Sequence, residues 1–255
     1  MKKSLLLPLL LTATAATAQV NVQLHYDFGR NLYADQEPGR QKVTSTVEMF
    51  KADRLGSTYF FVDMDYYSDG VGGAYWEVSR EFTLQTLASS SIAAHVEYDG
   101  GLSINKYSNE YPSRFQPAFL LGPAWNWHNG DFSTTFSLQL NYKYYVATHS
   151  CHALSTFQLT PVWSTTFADG LFTFAGFADL WYGYIPDFDA DGQKKGMVFL
   201  SEPQFWVNVL GRDRQNERLS IGTEIELSNN FIFPAKPGTD GTFYCNPTIA
   251  LKWTF

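Results

Sequence analysis

Apolar and polar residues alternate with a period of two along most of this chain. The clearest run is DFSTTFSLQLNYKYY, Asp131 to Tyr145. Phe132, Thr134, Phe136, Leu138, Leu140, Tyr142 and Tyr144 share one parity; Ser133, Thr135, Ser137, Gln139, Asn141, Lys143 and Tyr145 share the other. Successive side chains of a strand point to opposite faces, so the run predicts one strand with an apolar and a polar side. Its length matters. Ordinary strands average about 5–6 residues, whereas a tilted strand crossing a bilayer needs about 9–11.

Similar runs predict strands over Val20 to Gly29, Lys42 to Phe50, Thr58 to Ser68, Tyr75 to Gln85, Ser91 to Asp99 and Phe115 to His128. After the opening example come Ala153 to Phe167, Leu171 to Tyr184, Met197 to Leu210, Leu219 to Ser228 and Thr242 to Phe255. Arg80 interrupts the apolar parity of its run. Asp69-Gly70 with Gly72-Gly73, His128-Asn129-Gly130 and Ala168-Asp169-Gly170 carry turn chemistry. No helix is expected between the strands. Connections at 30–41, 69–74, 100–114, 146–152, 185–196 and 229–241 read as the longer set. Those at 51–57, 86–90, 129–130, 168–170 and 211–218 read as the shorter.

An even strand number, short turns on one side and long loops on the other are the signature of an outer-membrane barrel. Lipid offers no partner to an open sheet edge, so such a sheet closes on itself. A soluble β-sandwich shows the same alternation with shorter strands. The expected fold is therefore all-β, a transmembrane antiparallel β-barrel of about twelve strands with N- and C-termini periplasmic. The last strand alternates Ile249, Leu251, Trp253 and Phe255, and a terminal Phe of this kind makes the outer-membrane barrel assembly machinery an expected partner.

The N-terminus adds a targeting signal. Lys2 and Lys3, the apolar run Leu5 to Leu11 and the small-x-small site Ala16-Thr17-Ala18 read as a signal peptide over 1–18, with the barrel over 19–255. Composition agrees with export and a bilayer. The 255 residues include 21 Phe, 15 Tyr and 7 Trp, enough for aromatic girdles. A mean hydropathy of −0.20 argues against membrane helices, and a net charge of −7 against nucleic acid. The two cysteines, Cys151 and Cys245, make no disulfide framework, and Cys245 lies on an apolar parity that suits a small packed side chain. No motif calls for a cofactor or metal. His149, Cys151 and His152 share one loop, which alone makes no metal site.

The polar parity would face the lumen. It collects Asp27, Glu48, Asp63, Asp65, Glu77, Glu81, Glu97, Asp179, Glu202, Glu224 and Glu226, with Lys143 and Lys252 as counter-charges. Tyr59, Phe61, Tyr67, Tyr75, Phe177, Trp181 and Trp206 interleave with them. Any one of these is explained by a hydrated wall. Together, rings that stack and carboxylates that accept hydrogen bonds suit a planar polar solute and disfavour anions. Glu48, Phe61, Asp65, Glu77, Lys143, Asp179, Trp181 and Glu202 are the candidate pore-lining, substrate-binding residues.

Several blocks resemble the Tsx-like nucleoside-specific channels and a related uncharacterised group of outer-membrane proteins from Bacteroides-type bacteria. They are VTSTVEMFKADRLGSTYFFVDMDYY, AYWEVSREFTLQTLA, QPAFLLGPAWNWHNGDFSTTFSLQLNYKYY, FQLTPVWSTTF, FTFAGFADLWYGY, FLSEPQFWVNVL and NPTIALKWTF, in that order. Glu48, Asp65, Glu77 and Asp179 match by block. The resemblance implies a narrow twelve-stranded barrel carrying nucleosides past aromatic and ionisable side chains.

The expected function is thus a passive channel in the outer membrane of a Gram-negative bacterium, with membrane lipid and a small polar solute such as a nucleoside as partners. A structural or adhesin-type barrel is the alternative. A lipid-modifying barrel enzyme needs a Ser–His pair facing the bilayer, whereas His25 and His95 fall on the lumen parity and His149 and His152 flank Ser150 in a loop.

Overall fold

A computed structural model describes residues 18–68, 70–103, 116–148, 151–186, 194–210 and 219–255. Among the described residues, thirteen strand segments form one antiparallel sheet. They are β1 (Gln19–Asp27), β2 (Val43–Asp53), β3 (Gly56–Tyr67), β4 (Gly70–Thr86), β5 (Ser90–Ser103), β6 (Ala118–His128) and β7 (Thr134–Tyr145), followed by β8 (Leu154–Phe167), β9 (Phe172–Tyr184), β10 (Lys195–Ser201), β11 (Gln204–Asn208), β12 (Leu219–Asn229) and β13 (Phe243–Thr254). Consecutive strands pair antiparallel, β10 and β11 excepted, and β13 pairs both β12 and β1. The ring is closed.

Segments β10 and β11 share one lane, because both pair β9 on one side and β12 on the other. The ladder runs through the gap between them: Glu202 N–H donates to Phe177 O at 3.1 Å, and Ile225 N–H to Pro203 O at 3.0 Å. Pro203 has no N–H to give, which is why the segments separate. Facing it, Gly176 has φ +154°, and a Cβ there would lie 2.6 Å from the Glu202 carbonyl oxygen. The expected twelve-stranded barrel is the observed one.

Alternation sorts the faces as the pattern requires. On β7, Leu138, Leu140, Tyr142 and Tyr144 are exposed outward, while Asn141 and Lys143 are buried inside. On β1, Val22, Leu24 and Tyr26 point outward and Gln23, His25 and Asp27 inward. The apolar residues thus form the outer surface and the polar residues the packed interior, the reverse of a water-soluble core.

Three local expectations are corrected. The connection placed at 69–74 is far shorter, because β4 begins at Gly70. Its glycines serve close packing within a strand: a Cβ on Gly72 would run into the Tyr67 ring. The strand expected from Asp131 begins at Thr134. The Asn129 side chain accepts from Thr134 N–H at 3.0 Å and the Asp131 carboxylate from Ser133 N–H at 3.0 Å, which closes a wider turn. Phe132, assigned to the lipid row, sits in that turn at φ +59° with its ring stacked on His128 at 3.8 Å. Lastly, the polar connection after β1 contains a short helix, α1 (Gly29–Leu32). The Ala168-Asp169-Gly170 turn matches its expectation, with φ values of +53°, +55° and +85°.

Arg80 gains an account. On the outer face it donates to both Asp53 carboxylate oxygens, at 2.7 and 2.8 Å, beside the β2–β3 turn, and its guanidinium lies 5.3 Å from the Phe82 ring. Cys151 and Cys245 are not bridged; Cys245 is exposed on the outer face rather than packed. The signal-peptide segment 1–17, His149 and Ser150 lie outside the described residues.

Candidate functional site

Register brings distant acidic and aromatic residues into rows across the inner wall. One row runs Asn21, Glu48, Phe61, Glu77, Asp99 through β1, β2, β3, β4 and β5, each residue directly opposite the next. Glu48, Phe61 and Glu77 are therefore immediate neighbours. Asn21 and Gln23 both donate to the Glu48 carboxylate, at 3.2 and 3.0 Å, and Tyr75 donates to Glu77 at 2.7 Å. Phe61 lies between Tyr59 and Tyr75, with ring centroids 6.1 and 5.9 Å away in tilted geometry. Asp65 sits near the end of β3 that leads into β4, taking a 2.7 Å bond from Thr44, and Asp63 is bonded to Thr46 at 2.5 Å.

A second group surrounds Lys143. Its ammonium is 3.1 Å from Asp99, donates to Gln158 at 2.7 Å, and lies 5.1 and 5.2 Å from the Tyr145 and Trp181 rings. Gln158 continues to Thr160 at 3.1 Å, and Thr160 donates to Asp179 at 2.5 Å. Lys143, Trp181 and Asp179 thus belong to one hydrogen-bonded wall. The two groups meet where Glu77 faces Asp99. One oxygen each from Glu77, Glu97 and Asp99 falls within 4.8 Å of the others. Lys143 supplies positive charge there through its contact with Asp99.

Glu202 stands at the break between β10 and β11, within electrostatic reach of Glu224, Glu226, Asp63 and Glu77. It is not part of the register-paired Glu48–Phe61–Glu77 row, although it interacts electrostatically with Glu77. Both histidines expected on the lumen parity are committed to polar partners: His25 contacts Gln23 and Thr248 at 3.0 and 3.3 Å, and His95 lies between Glu81 and Glu97 at 3.5 and 3.2 Å.

One interior residue escaped the pattern altogether. Arg40, in the connection between β1 and β2, pairs with Asp27 and Glu226 at 2.8 Å each and with Glu37 at 3.2 Å. Burial disfavours its charge, but Glu226 and Asp27 more than compensate and hold its pKa above the ordinary range. Burial likewise raises Glu37 against the lowering influence of Arg40. Asp99 had a signal, its place on the polar parity of β5; Arg40 had none. Chemically, the wall offers many hydrogen-bond acceptors, a tilted aromatic face and few cations. It suits neutral or positively charged polar groups and opposes anions.

These features define a closed β-barrel with a polar, acidic interior and an apolar exterior. The chain belongs to the family described as "Domain of unknown function (DUF5020)", whose model matches residues 18–255. No curated protein matches it. Among solved structures it is similar to the NanC porin in a rhombohedral crystal form, at 9% identity and a TM-score of 0.56, covering 92% of this chain and 100% of that one. It also matches the KdgM porin, at 9% identity and a TM-score of 0.49 over 93% and 99% of the two chains. The Acinetobacter baumannii outer membrane protein Omp33 matches at 10% identity and a TM-score of 0.41 over 94% and 97%. At 9% identity, what the NanC porin shares with this chain is the fold.

Proposed function

We propose that this protein is a passive channel of the bacterial outer membrane, selective for small polar solutes and most specifically for nucleosides. The observation that carries the reading is the row Glu48, Phe61, Glu77 on the inner wall of a closed barrel whose outer wall is apolar. A nucleobase would stack on Phe61 while sugar hydroxyls donate to the flanking carboxylates. Asp65, Lys143, Asp179, Trp181 and Glu202 complete the path. Weak successive contacts of this kind allow both entry and exit, so transport is facilitated diffusion without an energy source.

The nucleoside assignment draws on the ordered blocks that resemble Tsx-like channels. Export by the segment 1–18, assembly through the strand ending at Phe255, and periplasmic termini belong to the same reading. The bilayer would contact outward residues such as Leu24, Leu121, Leu140 and Ile249.

Liposome swelling and single-channel conductance with nucleosides, sugars and amino acids test it. The expected result is nucleoside entry and concentration-dependent block of ion current. The combined replacement Phe61→Ala with Glu77→Gln should weaken that block about tenfold or more, the loss of one stacking and one charged contact, without preventing assembly. No flux of any solute through a folded barrel would overturn the channel reading in favour of a structural barrel. Unchanged block would remove this row as the site.

A further inference from the structure

We propose that the connection between β1 and β2 sets the size limit of the lumen, and that Arg40 is the residue that positions it. The proposal rests on the channel reading above. After Asp27 the chain turns into α1 and then folds back. Glu37 N–H donates to Tyr33 O at 2.8 Å and Arg40 N–H to Glu37 O at 3.1 Å, which directs both side chains onto the inner wall. There the Arg40 guanidinium spans three elements. Its Nε and Nη2 donate to Asp27 of β1 at 3.0 and 2.8 Å, and its Nη1 and Nη2 to Glu226 of β12 at 3.4 and 2.8 Å. Between those strands, Asn246 of β13 is fully buried and donates to Glu37 and Glu226 at 3.4 and 3.3 Å.

The remainder of the segment fits the same surface closely. Gly29 N–H donates to Asp27 at 2.6 Å, and a Cβ on Gly29 would lie 2.5 Å from Asn246 Oδ1. The Tyr33 ring meets the Tyr244 ring at 5.0 Å, and Ala235 N–H donates to Gln36 O at 2.6 Å, tying this connection to the one between β12 and β13. A connection that merely crossed the rim would leave these inward positions wet. Instead Asp27, Glu37, Tyr244 and Asn246 are all buried.

The charges explain why one residue controls the arrangement. Asp27, Glu37 and Glu226 converge from three elements, and without a cation among them they repel one another in a weakly screened interior. Arg40 has enough donors, in a rigid fork, to serve all three; the point charge of a lysine does not reproduce that geometry. Loss of Arg40 therefore releases the segment from the wall and widens the passage.

The test compares wild type, Arg40→Ala and Arg40→Lys in proteoliposomes, with heat-modifiable gel migration confirming barrel assembly. Wild type should admit nucleosides and monosaccharides and exclude the tetrasaccharide stachyose. Arg40→Ala should admit stachyose and raise conductance ~2-fold, as expected of a wider passage, and Arg40→Lys should fall between. Trypsin supplies a readout independent of flux: cleavage after the exposed Arg30 should appear in Arg40→Ala and stay slow in wild type. Should Arg40→Ala fail to assemble, the double variant Asp27→Asn with Glu226→Gln removes the partners instead and should give the same release. An assembled variant with unchanged size limit and unchanged cleavage overturns the proposal. A wild type that passes nothing while Arg40→Ala conducts overturns the channel reading alone; if neither conducts, both fall.

Discussion

Lys143 shows how much a single interior charge carries. Its ammonium joins Asp99, Gln158 and two aromatic rings, and the residue is only 7% exposed. Removing one member of a buried ion pair strands the other, at a cost of about 3–5 kcal/mol. Lys143→Ala should lower barrel stability by that order, read as a fall in the urea midpoint in detergent micelles at an unchanged slope. Glu37 offers a pH test. Its carboxyl is raised chiefly by burial, with Arg40 of its own connection opposing, Glu226 of β12 and Asp27 of β1 adding to the rise, and Asn246 of β13 lowering it through a hydrogen bond. A raised carboxyl favours the docked segment while protonated. That contribution is complete below the ordinary value of 4.5 and is lost as pH climbs through the docked value. Amide exchange at Glu37 and Arg40, corrected for intrinsic rate, should show docking weaken as pH rises above 4.5, and Glu37→Gln should flatten that dependence. An identical profile in the variant would assign the dependence elsewhere.

At the scale of the element, strands and faces were legible because the period of two survives in single residues such as Asn141 and Lys143 between exposed leucines and tyrosines. Glycine proved ambiguous. Gly70, Gly72 and Gly73 resemble a turn, yet they build β4, where the Tyr67 ring needs the room. Phe132 was misplaced because parity continues into a turn whose conformation is decided by the Asn129 and Asp131 side chains. Arg40 was invisible for a deeper reason: its segment has no periodicity, and its partner Glu226 lies 186 residues away. Neighbours across the ring follow from register, so the Glu48, Phe61, Glu77 row needed the pairing of three strands to emerge. The join of β10 and β11 yields a prediction of its own. Gly176→Ala sets a methyl against the Glu202 carbonyl at a backbone angle few side chains tolerate, and should cost about 1–3 kcal/mol, measured by thermal unfolding on gels. An unaltered transition would show that the Pro203 segment moves aside freely.

Among the described residues, acidic side chains outnumber basic ones on the inner wall, and two of its cations, Arg40 and Lys143, are already engaged by carboxylates. The interior potential is therefore negative. Reversal potentials in a potassium chloride gradient should report cations over anions, with the preference shrinking as salt screens the wall. Anion preference would contradict the charge layout and the placement of the acidic rows inside.

Closure of the ring also governs how the protein comes to be. Gln23 faces Lys252, and Phe255 N–H donates to Val20 O at 2.9 Å, so β1 finds its second neighbour only in β13, at the far end of the strand order along the chain. Until then two edges stand unpaired, each a template for misassociation. Most of the hairpins join residues near in sequence and form cheaply, whereas this one seam carries nearly the whole chain's loop-closure entropy. Folding speed is accordingly set at the seam, and truncation of the C-terminal strand removes the pairing to β1 and β12 together, leaving an open sheet that no bilayer accommodates.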